Sequence, residues 1–436
     1  MSRDAESSGT AVDRISNMPS NIKDLILERL SIHDAAKMGV LSTTWRDLWV
    51  TNPHLVFDDI FFSRLHNGMK RPRPSKSSRI ISNILLAHIG PILNFTLHIP
   101  MCSLLHNCSD KEIWIKNISK NGVRNLKLIN PSCDPYKIPS SLFSCLDLTH
   151  LNLSRCMLNP PRKFGGFCYL VNVELHRVKI TGDMSFGTQL EELVLHECSG
   201  MEHLGCQFKN SNNLTLLKIE TGSINKEDID LGWFECVQKV TNLSLMRHLF
   251  QENSRIEINN LDKLLGNMSR INSLLLGGFS LESLKSDTAV LKRPMATLEN
   301  LYIHSAGFCD SGDLHYVLCL IKSSPNLRYL YISLYGKVNR SKDANLSHLT
   351  ALQSDMIMDQ LENVEIYGMT GTKPELQFVK LLLESTPSLR LLKLNMEPRD
   401  NPLQELRIAQ DLLLYPRASS RAQIIWAEIV REYGDY

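Results

Sequence analysis

The chain has 436 residues, too many for one compact core and suited to several domains or an array of repeats. Lys and Arg number 48 against 46 Asp and Glu, so no charge field points to nucleic acid. The polar N-terminus lacks the apolar core of a signal peptide, and no apolar run approaches the ~18 residues of a membrane span. We therefore expect a chain acting in the nucleus and/or cytoplasm, its 11 cysteines reduced and outside any C-x-x-C pair.

Residues 1–12 read as a disordered tail. From 13 to 57 the punctuation predicts three short helices. Met18 and Pro19 precede the first, and Ser20 caps it. Ile22, Leu25, Ile26 and Leu30 recur at helical spacing and share a face. Asp34 reads as the N-cap of the second helix, with Gly39 near its end. Ser42 reads as the cap of a third, in which Trp45, Leu48 and Trp49 cluster at i, i+3 and i+4. Pro53 stops it. A module of about 45 residues cannot bury this much apolar surface by itself. Two tryptophans beside Val40 and Leu41 therefore suggest either a face made for another polypeptide or packing against the chain's own second domain.

Met18-Pro19, Ile26-Leu27, Val40-Leu41-Ser42 and the pair Trp45, Trp49 together resemble an F-box. The resemblance implies docking onto a Skp-type adaptor, and through it a cullin. It assigns adaptor contacts to Met18, Pro19, Ile22, Leu25, Ile26, Val40, Leu41, Trp45 and Trp49. Met18 replaces the family's usual Leu, a nearly volume-conserving change. Thr43 and Thr44 stand where a basic residue is usual, which alters the rim of the contact.

Residues 58–91 read as a linker and a first solenoid helix, with the Pro-, Ser- and Lys/Arg-rich stretch 67–79 as loop. From 92 to 354 the pattern apolar-x-x-apolar-x-apolar returns. Copies starting at Ile92, Val123, Leu148, Leu170, Leu190, Leu214, Val240, Ile271, Leu298 and Leu327 are followed in the last part of the chain by Leu361 and Leu389. This is the leucine-rich-repeat signature. Each copy predicts a short strand with alternate residues inward, and neighbours must stack into a solenoid, the horseshoe of an α/β repeat fold. Spacings of 20 to 34 residues place extra length on the convex side, the stretch 333–348 above all. Cys156 and Cys198 fall at the repeat's Asn/Cys position, where a structural role is expected rather than thiol chemistry.

Residues 355–436 read strand, loop, helix, strand, then a helix from Pro402 and a last strand in 422–426. Pro374 marks the start of the first helix, with Leu376, Val379, Leu382 and Leu383 as its apolar stripe, and Asn401 with Gln404 makes a capping box for the second. The pieces 361–366, 371–380 and 418–426 resemble the FBD domain of plant F-box proteins with leucine-rich repeats. Physically this part caps the solenoid.

Among outward strand positions, Tyr302, Tyr329 and Tyr331, with Tyr367 one strand on, form the one aromatic cluster. Tyrosines are common interface anchors, so we expect a substrate-docking surface there; packing of the rings on each other is the alternative. The same columns supply only Lys127, Lys218 and Lys393 as cations, so no inositol-phosphate or other cofactor is expected. His98, Cys102, His106 and Cys108 match no zinc spacing, and His176, His196 and His304 read as surface histidines. No phosphate loop, nucleophile elbow or H-E-x-x-H is present, so the chain is not expected to be an enzyme. The resemblance implies a non-catalytic substrate receptor of a ubiquitin ligase. The alternatives are an interaction scaffold without turnover, or a repeat protein whose F-box never docks.

Overall fold

The computed structural model describes residues 17–41, 43–46, 48–66, 74–99, 110–201, 203–204, 213–221, 239–247, 265, 269–277, 294–306, 308, 311–334, 357–397 and 402–428. The chain forms two compact units, Met1–Phe186 and Gly187–Tyr436.

The first unit begins with helices α1 (Ser20–Arg29), α2 (Ile32–Leu41) and α3 (Thr43–Arg46), then a 3-10 turn at Trp49–Thr51. Leu27, Ala35 and Trp45 form their core, with Ile26, Leu30, Met38, Leu48 and Trp49 packed around it. Ser31, not Asp34, caps α2: its Oγ accepts the Asp34 amide at 3.2 Å and donates to Asp34 Oδ2 at 2.7 Å. Asp34 lies three residues into this reciprocal cap and also holds Arg64 at 2.7 Å. The bond from Ser31, then that from Arg64, keeps its carboxyl below the usual range. Ser42, expected to cap α3, lies outside the described residues.

The segment expected as 13–57 ends in the first strand of the repeat sheet. His54–Phe57 is strand β1, paired in parallel with β2 (Asn94–His98) from His54↔Asn94 to Phe57↔Leu97. Leu55 and Phe57 point into the core as repeat residues do. The repeat start here is Asn52 instead of an aliphatic residue, which hides the copy from a leucine pattern. Asn52 is buried; its Nδ2 donates to the Leu27 carbonyl at 3.2 Å, and its Oδ1 accepts the His54 amide at 2.9 Å. One amide thus binds the end of α1 to the first strand and satisfies groups that burial would otherwise orphan.

The stretch expected as loop over 67–79 is helical from Pro74 onward. Helices α4 (Asp59–His66) and α5 (Pro74–Ala87) precede β2, and α6 (Asp110–Ile118) follows it. Pro is at home in a first helical turn, and Ile81 and Leu85, four apart, give α5 its buried face. Trp114 of α6 is buried and donates to Ser82 Oγ at 2.9 Å. The parallel sheet continues through β3 (Asn125–Ile129), β5 (His150–Ser154) and β7 (Asn172–His176). A small second sheet joins β4 (Tyr136–Lys137), β6 (Cys156–Leu158) and β8 (Lys179–Ile180).

The second unit is an all-parallel sheet of β9 (Glu192–His196), β10 (Leu216–Thr221), β11 (Asn242–Arg247), β12 (Ser273–Gly277), β13 (Asn300–Ala306), β14 (Tyr329–Leu334), β15 (Asn363–Met369), β16 (Leu391–Met396) and β17 (Gln423–Glu428). Every repeat start expected from sequence is followed two residues later by a strand. From β9 to β16 the alternate aliphatic residues of each strand are buried, whereas in β17 Ile424 is half-buried and Ile425 exposed. The chain is an α/β, solenoid-like repeat fold behind an N-terminal helical module.

Seven residues after a repeat start the backbone turns left-handed: Arg155 (φ 52°), Arg177 (54°), Glu197 (50°), Ser305 (61°) and Gly368 (74°). The next residue is buried, and twice it is the expected cysteine. Cys156 Sγ donates to the Ser154 carbonyl at 3.2 Å and Cys198 Sγ to the His196 carbonyl at 3.5 Å. Burial pushes the Cys156 thiol up to about 12, so it stays a protonated donor.

Near the end, Lys373–Ser385 and Pro402–Leu414 form the two expected helices. Buried Glu375 reaches back to the start of its helix, accepting the Thr372 amide at 3.2 Å, the Thr370 amide at 2.8 Å and the Thr370 hydroxyl at 2.9 Å. Phe378, absent from the expected stripe, is fully buried edge-on to Phe308. Asn401 and most of 333–348 lie outside the described residues. Among the described residues, no helix is long and apolar enough to cross a membrane, and no cluster of three metal-ligating side chains occurs. Of the four His/Cys residues between 98 and 108, only His98 is described.

Candidate functional site

Two surfaces carry the expected site residues. The first is the outer face of the N-terminal helices. Helix α1 turns Lys23 and Leu27 inward, one turn apart, and leaves Ile22 at 38% and Leu25 at 53% exposure. That inverts the usual partition, because a lysine is covered while branched aliphatics face solvent. On α2, Val40 is 83% exposed. Pro19 is exposed, whereas Met18 and Ile26 are half-buried, Ile26 against the helical core. The side chain of Leu41 lies outside the described residues.

The tryptophans depart from expectation. Trp45 is 1% exposed and packs with Leu27 and Ala35, so it supports the face from within and offers no contact. Trp49 is half-buried on the same core, so close to α2 that a Cβ at Gly39 would stand 2.9 Å from its Cδ1. The reason is geometric. Trp45 sits in α3 and Trp49 opens the 3-10 turn after it, and both side chains turn onto the core that the three helices enclose. Among the described residues, the expected contacts that stay exposed are Pro19, Ile22, Leu25 and Val40.

The second surface lies on β13 to β16. Parallel register aligns Tyr302, Tyr331, Glu365 and Lys393 across four strands at outward positions. Tyr302 touches Tyr329 and Tyr331, with ring centroids 5.5 and 6.2 Å apart, and Tyr331 reaches Tyr367 at 5.1 Å. The structure thus brings all four expected tyrosines together as one half-exposed strip. The rings do pack on each other, and they also carry a polar side. Tyr329 donates to Glu365 Oε1 at 3.0 Å, and Tyr367 donates to Oε2 at 2.9 Å. Lys393 donates to the Tyr367 hydroxyl at 2.9 Å, pairs with Glu365 at 3.5 Å and stands 5.3 Å from the Tyr367 ring centre.

Burial, and then the bond to Glu365, raises the Tyr329 phenol. The bond to Tyr367 raises Lys393, which keeps it an ammonium. Glu365 is therefore fully engaged inside the cluster, and its role is to fix ring orientation. The surface presents ring faces held in place, the preorganised kind of anchor that costs little to bind. His304, read from sequence as an ordinary surface histidine, stacks 5.0 Å from Tyr331, and burial lowers its pKa. Glu365 and Lys393 were visible as outward positions in the same columns, but nothing in the linear pattern paired them with the tyrosines.

A model of the F-box domain matches residues 15–56, and a model described as the At1g61320/AtMIF1 LRR domain matches residues 84–415. In Arabidopsis thaliana, F-box/FBD/LRR-repeat protein At1g13570 is 28% identical over 431 residues, covering 96% of this chain and 100% of that protein. F-box/FBD/LRR-repeat protein At5g56420 of the same plant is 24% identical over 436 residues, covering 95% and 99%. Among solved structures, an internalin from Listeria monocytogenes aligns with a TM-score of 0.35 at 15% identity, over 79% of this chain and 88% of that one.

Proposed function

The chain belongs to the At1g61320/AtMIF1 leucine-rich-repeat family, carried here behind an F-box, and on that premise we propose that it is the substrate-recognition subunit of a Skp–cullin–F-box ubiquitin ligase. In this reading the F-box, within residues 13–57, docks a Skp-type adaptor that brings the cullin. The repeats up to 354 and the FBD part from 355 hold a protein substrate. The chain itself performs no chemistry, and it acts in the nucleus or cytoplasm.

The observation that carries the reading is the inverted face of α1, with Leu25 53% exposed and Ile22 38% while Lys23 is covered, together with Val40 of α2 at 83%. Full burial of such a side chain is worth about 1.5–3 kcal/mol, and Leu25 and Val40 leave at least half of it uncollected. A partner with an apolar surface would collect it. The tyrosine strip is the proposed substrate surface, because aromatic anchors with fixed orientation dominate protein interfaces.

The test is binding of the full chain to a purified Skp-type adaptor. Leu25→Asp is expected to weaken it by about 100-fold, the loss of one anchor plus the cost of an unpaired carboxylate. Melting should stay unchanged, because Leu25 is outside the core. Wild-type affinity in Leu25→Asp and Val40→Asp would reject the docking face.

A further inference from the structure

We infer that the tyrosine strip on β13 to β16 takes a proline-rich segment in the polyproline II conformation, laid across the strands. This deepens the substrate reading above and rests on it.

Hydrogen-bond balance selects that chemistry. Glu365 is the ionised acceptor of the strip, and it is fully engaged. Its Oε1 takes the Tyr329 hydroxyl, while Oε2 takes the Tyr367 hydroxyl and faces Lys393 at 3.5 Å. The Lys393 ammonium has three protons; Tyr367 and Glu365 engage two, so one is left to donate. Asn300 and Asn363, in register with Tyr329, serve either role and do not discriminate. The strip therefore offers ring faces and a charged donor, and it suits a ligand with more acceptors than donors. Each proline brings a carbonyl and an apolar ring but no N–H. In a polyproline II helix none of those carbonyls is used internally, and such helices dock on aromatic-lined surfaces.

Topology and charge turn away other extended ligands. Strands β13 to β16 each pair on both edges, so a peptide cannot add to them as a further strand. A cationic side chain meets Lys393 already standing 5.3 Å from the Tyr367 ring centre. A phosphorylated segment needs several converging cations, and Lys393, the one lysine or arginine described in the strip, is already paired.

The spacing agrees. Tyr302 on β13 and Tyr367 on β15 are two strand spacings apart, about 9.5 Å, with Tyr331 between them. One turn of a polyproline II helix advances about 9 Å over three residues, so residues i and i+3 meet the outer two rings.

The experiment is calorimetric titration of the full chain with decaproline and with a glycine–serine decapeptide, alongside thermal melting of each variant. Decaproline is expected to bind and the glycine–serine peptide not to. Tyr331→Ala should weaken decaproline binding about tenfold at an unchanged melting temperature, and Tyr331→Phe, which keeps the ring, should retain it. Tyr302→Ala takes the place of Tyr331→Ala if the latter melts early. Absence of decaproline binding, or wild-type affinity in the alanine variant, overturns the inference. If decaproline fails while Tyr302→Ala/Tyr331→Ala still loses its captured proteins, the strip stands as a substrate surface for another chemistry. Unchanged capture in that double variant would instead defeat the substrate surface itself.

Discussion

Trp45 is the residue on which the N-terminal module closes. Its indole fills the space between Leu27 and Ala35, and its Nε1 has no hydrogen-bond partner among the described residues. Trp45→Ala opens a cavity and is expected to cost about 3–5 kcal/mol. Trp45→Phe keeps most of the packing, removes the unpaired N–H and should cost much less. Hydrogen exchange of the α1 and α2 amides reads the difference: rapid exchange in the alanine variant, near-native protection in the phenylalanine one. Equal protection in both would show that the indole is dispensable to the core. The linear pattern placed Trp45 on an apolar face but could not say whether that face looked in or out. Periodicity identifies a stripe, and only the partner helices decide its direction.

At the level of strands and turns the repeat was almost wholly legible. A leucine pattern marks where a strand starts, because each buried position has the same neighbours in the copy before and after. β1 escaped because Asn52 stands at its start, and that asparagine is there to tie α1 down. α5 was partly hidden because Pro74 and its serines look like loop while also being good helix starters. The left-handed turn after the strands was not legible at all. Arginine, glutamate and serine occupy it as well as glycine, so composition does not flag it. Gly368 is the strictest case, since a Cβ there would stand 2.6 Å from the Leu334 carbonyl oxygen at φ +74°. It lies in the irregular pairing of β15 with β16, next to Tyr367. Gly368→Ala should destabilise the chain by more than about 2 kcal/mol, strain plus collision. A melting curve matching wild type would show that the strand end yields without cost.

For the molecule as a whole, the proposed roles fall on separate sets of residues, and they should separate by mutation. Tyr302→Ala with Tyr331→Ala removes the middle of the aromatic strip while leaving the inward residues Leu301, Ile303, Leu330 and Ile332 in place. Substrate capture by an F-box-deleted chain is expected to be lost, and adaptor binding by the full-length variant to persist. Retention of the same captured proteins would remove the strip from the substrate surface. That the four tyrosines would meet followed from strand register alone; that Glu365 and Lys393 would lock them required side-chain geometry.

Alternation along β9 to β17 has a further result. Inward residues answer to their stacked neighbours on both sides, while outward ones such as Val194 and Leu275 are only half-buried and answer to fewer. Side chains can be exchanged one cell at a time on such a lattice without disturbing the wall behind it. A lineage that copies this gene can rewrite what its product holds through single-codon changes, at little risk to folding.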